Sequence, residues 1–291
     1  MKKPPLLVIV GETASGKSAL ALELAQRLNG EIICADSWTV RREANIGTAK
    51  PTAEELKLVP HHLLDVAGPD EDFTAAVFKR LAQQAIDEIY GRGKLPIMVG
   101  GTGLYVDGVL YDFGFLPAGD RTARADLNVK SNDELLAMIA KQGIEHVDVD
   151  IRNKRRLIRL LETNGARPTR QDLRPHTLII GLQINRDELT TRIEKRVDAM
   201  IETGLEAEVA GLAERYGWDC EALKGVGYAQ WKGHFIGTQS HEETRAKIIK
   251  ATQDLAKRQR TWFKRNKSIH WLTTPVNLTQ VADLVTTSLD K

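Results

Sequence analysis

The sequence predicts an α/β fold: a parallel sheet flanked by helices, with a small helical insertion domain. Three observations carry that expectation. Short, β-branched apolar runs alternate with segments whose apolar residues recur at helical spacing. A glycine-rich turn joins the first apolar run to the first helical one. From about residue 118 to 174 the strand pattern disappears while helical periodicity continues.

Leu6-Leu7-Val8-Ile9-Val10 reads as a strand buried on both faces, because strands covered by helices above and below lose the apolar/polar alternation. Lys17 to Leu28 reads as a helix with Leu20, Leu24 and Leu28 on one face, ended by Asn29-Gly30. Glu31 to Ala35 is a second strand, closed by Asp36-Ser37. Phe73 to Tyr90 is a helix (Phe73, Val77, Leu81, Ile86, Ile89) stopped by Gly91. Leu95 to Val99 is a third strand that runs into Gly100-Gly101-Thr102-Gly103. Pro117-Ala118-Gly119 opens the insertion, with helical segments at about 132–142 and 152–164. Leu178 to Ile184 restores a strand. Charged helices follow at about 187–216 and 241–267, then a strand at Ile269–Leu272 and a last helix at about 279–289. The domains are thus 1–117 together with 175–291 as the core, and 118–174 as the insertion.

Composition narrows the class. With 291 residues, 42% apolar, and 41 basic against 39 acidic side chains, the chain is neither disordered nor a single small module. No stretch approaches the ~20 apolar residues of a spanning helix, and Leu6–Val10 is too short for a signal-peptide core. Cys34 and Cys220 form no disulfide framework and have no metal-ligand spacing. A cytoplasmic enzyme with no membrane segment is expected. Without a heptad or large apolar stripe, it is expected to be a monomer.

The near-neutral net charge hides two basic windows. Residues 152–174 hold eight basic side chains against Glu162 and Asp172, and residues 245–267 hold nine against Asp254. Such asymmetry fits a polyanionic partner, or equally two solvated helix faces.

Gly11-Glu12-Thr13-Ala14-Ser15-Gly16-Lys17-Ser18 fits G-x-x-x-x-G-K-[ST] between a strand and a helix, the setting a P-loop requires. It makes the expected fold a P-loop NTPase-like parallel sheet flanked by helices. Gly11 and Gly16 let the loop wrap so that successive backbone N–H groups turn towards phosphate oxygens, and the following helix presents its positive end to the same anion. Lys17 adds a point charge, and the Ser18 hydroxyl suits Mg²⁺. Such a loop fixes phosphate binding and leaves the reaction open; hydrolases and kinases are the commonest users. Asp36, at the end of the second strand, could hold metal, orient a hydroxyl, accept a proton or simply cap a turn.

Further motifs single out one family. The loop Gly11–Ser18, Ala35-Asp36-Ser37, Ile46-Gly47-Thr48-Ala49-Lys50-Pro51 and Pro60-His61-His62-Leu63-Leu64-Asp65 are collinear with Val99-Gly100-Gly101-Thr102-Gly103-Leu104-Tyr105. Arg156-Leu157-Ile158-Arg159, Val226-Gly227-Tyr228 and Ala256-Lys257-Arg258-Gln259-Arg260-Thr261-Trp262-Phe263 continue the series. Together they resemble the bacterial tRNA dimethylallyltransferases, also called tRNA isopentenyltransferases, over nearly the whole chain. The resemblance implies transfer of a dimethylallyl group from dimethylallyl diphosphate to N6 of the adenosine 3′ of the anticodon (A37) in tRNA. The P-loop residues Gly11, Thr13, Ala14, Ser15, Gly16, Lys17 and Ser18 would hold the leaving diphosphate, with Lys17 stabilising its charge and Ser18 holding Mg²⁺. Asp36 would take the amine proton, and Thr102 would contact the target nucleotide.

The tRNA anticodon stem-loop is the implied partner. It would meet Asp36, Ser37, Trp38, Thr39 and Thr102 near the chemistry, together with Lys224 and Tyr228. Arg155, Arg156 and Arg159 on the insertion and Lys257, Arg258, Arg260 and Lys264 on the late helix would track its phosphates. Trp262 and Phe263 stack on a base or pack in the core; His61 and His62 read as structural or loop contacts.

Five positions depart from the family's pattern. Glu12 replaces a usual proline and, unless it points outward, should weaken diphosphate binding. Thr39-Val40-Arg41 after Trp38 replaces Gln-Val-Tyr, Ala229 stands where an arginine is common, and so does Lys224. Other readings are a free-adenylate isopentenyltransferase, which has little need of the basic helices, a small-molecule kinase, and a non-catalytic tRNA-binding relative.

Overall fold

A computed structural model describes residues 3–117, 119–145 and 149–289. The chain divides into two compact units, Met1–Leu110 with Leu173–Lys291, and Tyr111–Asp172. Ala118, where the sequence places the start of the insertion, lies outside the described residues.

The larger unit is built on six parallel strands in the order β3-β2-β4-β1-β5-β6. They are β1 (Leu6–Gly11), β2 (Gly30–Cys34), β3 (His61–His62), β4 (Leu95–Gly100), β5 (Thr177–Gln183) and β6 (Ile269–Thr273). β1 sits near the middle, with Val8 in register with Met98 of β4 and Ile179 of β5. Leu6 to Val10 are fully buried, as a strand covered on both faces requires.

Alternate residues serve two cores. Leu7 and Ile9 pack with Leu20 and Leu24 of α1 (Lys17–Arg27) and with Val281 and Val285 of the last helix, α12 (Leu278–Leu289). Helix α3 (Ala75–Gly91) covers β2 and β4 with Phe78, Ala82, Ile86 and Ile89, all buried. The expected helix at 187–216 is two helices, α8 (Arg186–Glu202) and α9 (Leu205–Tyr216). Gly204, at φ +106°, breaks them in a left-handed turn that glycine adopts without a Cβ penalty. A single helical turn, α10 (Lys232–Phe235), precedes the long helix α11 (His241–Phe263). Helices α8, α9 and α11 pack together around Leu189, Val197, Leu212, Trp231 and Ile248. Other short elements that escaped the sequence reading include the edge strand β3, α2 (Ala53–Leu58), started by a Thr52/Glu55 capping box, and α4 (Gly103–Leu110).

The strand next to the β3 edge of the sheet carries a buried carboxylate. Glu31 of β2 is 3% exposed and accepts a hydrogen bond from Arg92, with His62 and Lys94 also against it at 2.7 and 3.2 Å. Burial pushes its carboxyl up, but the bonds from Arg92, His62 and Lys94 outweigh burial and hold it at about 2.

The smaller unit has three helices where two were expected: α5 (Arg121–Val129), α6 (Asn132–Lys141) and α7 (Lys154–Glu162). Leu127, Leu135, Ile139, Leu157, Ile158 and Leu160 make its core. Asp120 caps α5 and a Ser131/Glu134 capping box starts α6.

Candidate active site

The turns after β1, β2 and β4 all open at the carboxyl edge of the sheet, where parallel α/β folds place their ligands. The first is the P-loop. Ala14 and Gly16 sit at φ +61° and +91°, and the Ser15 N–H closes the turn on the Glu12 carbonyl at 3.2 Å. Gly16 caps α1 without a side-chain hydrogen bond to the helix end, which leaves the first-turn N–H groups without a capping side chain among the described residues, as an anion site needs. Lys17 folds back to donate to the Glu12 carbonyl at 3.1 Å. Burial, with the like charge of Arg196, lowers its amine to about 8 against the pull of Asp36 and Glu12.

Asp36 follows β2. Its Oδ1 accepts the Trp38 N–H at 2.9 Å, so it caps the turn and still has Oδ2 without a hydrogen-bond partner among the described residues. Ser37 donates its N–H to Thr102 Oγ1 at 2.9 Å, and the Thr102 hydroxyl lies 3.3 Å from Ser37 Oγ. Thr102 therefore ties the end of β4 to the residue beside Asp36. Trp38 stands over Gly225.

A cavity of about 470 Å³ joins these pieces. Thr13, Ala14, Gly16, Lys17 and Ser18 line it with Asp36, Trp38 and Thr39. Arg192 and Arg196 of α8 border the loop, and Arg196 donates to Thr13 Oγ1 at 3.3 Å. Ile193, Val197, Met200, Ile248 and Leu255 supply an apolar wall.

The glycines at and after the end of β4 are explained by close neighbours, Ala35 after β2 for Gly100 and α11 for Gly101 and Gly103. A Cβ on Gly100 would lie 2.0 Å from the Ala35 carbonyl oxygen, one on Gly101 2.1 Å from Gln259 Nε2, and one on Gly103 2.3 Å from Trp262 Cδ1. Gln259, 7% exposed, also accepts the Thr13 N–H at 2.7 Å. Trp262 donates its ring N–H to Asp107 at 2.8 Å, and Phe263 is buried. Both aromatics thus serve packing. Two further motifs interlock likewise: Lys50, in the loop that lines the cavity over 47–51, pairs with Asp65 and donates to Asn45 Oδ1 and the Arg41 carbonyl.

That loop is braced from α9. Glu208 accepts the N–H groups of Asn45, Ile46 and Gly47 and the Tyr228 hydroxyl. Tyr228, expected to touch RNA, is 1% exposed and packs on Gly47; its role is structural, because burial and Glu208 leave neither surface nor hydroxyl free.

Matching this geometry to known proteins decides the family. The IPP transferase family model matches residues 39–266. The chain belongs to the IPP transferase family. It is 44% identical to tRNA dimethylallyltransferase 1 of Trichlorobacter lovleyi, over 94% of this chain and 95% of that one. It is 39% identical to the tRNA dimethylallyltransferase of Bacillus licheniformis, over 96% and 94%. Its structure is similar to the tRNA isopentenylpyrophosphate transferase of Bacillus halodurans, at TM-score 0.77 and 36% identity over 99% and 97% of the two chains. A eukaryotic dimethylallyltransferase crystallised acting on tRNA aligns at TM-score 0.76 and 25% identity, over 95% of this chain and 75% of that one.

Within this IPP transferase the expected RNA contacts fare unequally. Lys257 and Arg258 are exposed on α11, Lys264 is exposed just past its end, and Arg155 and Arg156 are exposed on α7. Lys224 is exposed and pairs with Glu221. Arg159 instead holds its own unit together, donating to Glu162 and to the Leu116 carbonyl. Arg260 turns inward to Glu12 at 3.1 Å. Glu12 itself is buried and absent from the cavity lining, so its carboxylate does not enter the anion site. The sequence reading missed Arg192 and Arg196, whose i,i+4 spacing on the helix after β5 was the available signal. It also missed Gln259 and Glu208, which only long-range packing reveals. Among the described residues, no helix is long and apolar enough to cross a membrane, and no cluster of three or more His, Cys, Asp or Glu side chains could hold a metal.

Proposed function

We propose that this enzyme transfers the dimethylallyl group of dimethylallyl diphosphate to N6 of the adenosine 3′ of the anticodon in tRNA, releasing diphosphate. One observation carries the reading. A single cavity is lined by Lys17 of the P-loop with Arg192 and Arg196 of α8, the Asp36 carboxylate and an apolar wall. Those are the three environments that a diphosphate, an exocyclic amine and a prenyl tail require.

The chemistry follows from where charge moves. The N6–C1 bond forms as the C1–O bond breaks, and the bonding electron pair leaves on the diphosphate. The α1 N–H groups, Lys17, Arg192 and Arg196 oppose that charge where it develops, in a site partly shielded from water. Adenine N6 is a poor nucleophile because its lone pair is delocalised into the ring. Asp36, anchored by Oδ1 and open at Oδ2, takes the N6 proton as the new bond forms. The adenosine reaches the cavity by leaving its stack in the anticodon loop.

Mg²⁺ fits the donors present: the Ser18 hydroxyl lines the cavity, and hard oxygen donors with waters and diphosphate oxygens suit this ion better than an all-protein cage. When bound there it would neutralise diphosphate charge. Exposed Lys257 and Arg258 on α11 with Lys264 at its C-terminal cap, and Arg155 and Arg156 on α7, are each unit's candidates for phosphate contacts.

Incubation with dimethylallyl diphosphate and tRNA bearing adenosine 3′ of the anticodon, followed by mass analysis of the nucleosides, tests the proposal. Isopentenyladenosine at that position is expected. Turnover on free AMP with none on tRNA would overturn it.

A further inference from the structure

The P-loop carries a carboxylate that the transfer chemistry does not use. Glu12 is 6% exposed, its Oε1 paired with Arg260 at 3.1 Å and its Oε2 buried without a partner among the described residues. The side chain stands behind the loop, outside the cavity lining, yet its charge is felt at Lys17. Burial pushes its carboxyl up, and Arg260, then Lys264 and Arg186, pull it back. Arg260 differs from the other basic residues of its helix turn. Lys257, Arg258 and Lys264 face solvent, whereas the Arg260 side chain is 27% exposed and aimed at Glu12.

A negative charge held in low-dielectric protein next to an anion cradle opposes the bound anion, and few waters screen it. It requires a cation fixed against it. Helix α11 supplies that cation and, one residue earlier, the Gln259 oxygen that holds the Thr13 N–H. Consecutive residues of α11 thereby grip consecutive residues of the loop, one by charge and one by a backbone bond.

We propose that Arg260 is a positioning residue for the transfer reaction: it neutralises Glu12 behind the P-loop and so keeps the cradle receptive to diphosphate, and it does not contact RNA. The inference rests on reading the P-loop as the diphosphate cradle. Without Arg260, the Glu12 carboxylate stands bare beside the anion site. Without both, the site loses the charge and its counter-charge together.

Calorimetric titration with inorganic pyrophosphate on the full chain tests this, alongside KM values for donor and tRNA. Arg260→Gln should weaken pyrophosphate about tenfold and raise the donor KM equally, with the tRNA KM within about twofold. Arg260→Lys should stay near the parent protein, which keeps the test readable if Arg260→Gln folds poorly. Glu12→Gln added to Arg260→Gln should restore pyrophosphate affinity to within about threefold of the parent. That rescue by a second neutralisation is an outcome neither a purely structural role nor an RNA contact would give. A raised tRNA KM with unchanged pyrophosphate affinity, or a double variant no better than Arg260→Gln, overturns the inference. Lys17→Ala separates the two levels. If it leaves pyrophosphate binding intact, the cradle reading itself fails; if it abolishes binding while Arg260→Gln does nothing, only this inference fails.

Discussion

Gln259 of α11 accepts the Thr13 N–H of the P-loop at 2.7 Å while its amide nitrogen fills the space a Cβ on Gly101 would occupy. One buried side chain thus ties the phosphate loop to the turn after β4. Those two turns lie 88 residues apart in the sequence, from Thr13 to Gly101, and meet only through the fold. Gly101→Ala should drive Gln259 from Thr13, destabilising the protein by about 1–3 kcal/mol and weakening pyrophosphate binding. In a Gln259→Ala background the same change should cost much less stability, since the obstructing amide is gone. Thermal melts of the two single variants and the double variant measure the coupling.

Asp36 has two tasks that one substitution separates. Asparagine keeps an oxygen for the Trp38 N–H but cannot take a proton. Asp36→Asn should therefore keep the fold and RNA affinity and lose about 10²–10⁴ in kcat. A rate near that of the parent would remove Asp36 from the base role.

Lys17 sets a pH limit. Its folded pKa of about 8 lies below the ordinary 10.5, so its positive charge costs stability at neutral pH, and the cost is relieved as pH rises from about 8 towards 10.5. Diphosphate offsets that cost by pairing with the charge. The rise in melting temperature on adding pyrophosphate should be larger at pH 7 than at pH 9.5, and Lys17→Ala should abolish the difference.

Glu31 acts at the acid end. A carboxyl held at about 2 against an ordinary 4.5 contributes stability that is fully present above 4.5 and lost as pH falls towards 2. The contribution is on the order of 3 kcal/mol at most. Urea unfolding followed between pH 6 and 2.5 should show this loss. Glu31→Gln should be less stable at pH 6 and flatter below pH 4.5.

The exposed face of α11 is tested by salt. Lys257→Ala with Arg258→Ala should weaken tRNA binding and lower the slope of log affinity against log salt by about one for each phosphate no longer neutralised. An unchanged slope would return that face to plain solvation.

The local order of the sequence determined much of this protein. A β-branched apolar run before G-x-x-x-x-G-K-S sets β1, the P-loop and α1, because strand burial, left-handed backbone and helix start are decided within about twenty residues. The same locality made Asp36 legible as the residue closing β2. Tertiary structure decided which charges face a ligand. Arg258 and Arg260 read alike in the chain, two residues apart on a basic helix, yet one meets water and the other a buried carboxylate from the opposite end of the sequence. Tyr228 sits in a motif that reads as a contact, but the packing of Gly47 and the carboxylate of Glu208 enclose it. Helical periodicity fixes the direction in which a side chain leaves its helix; only the surface brought against that helix fixes what it meets.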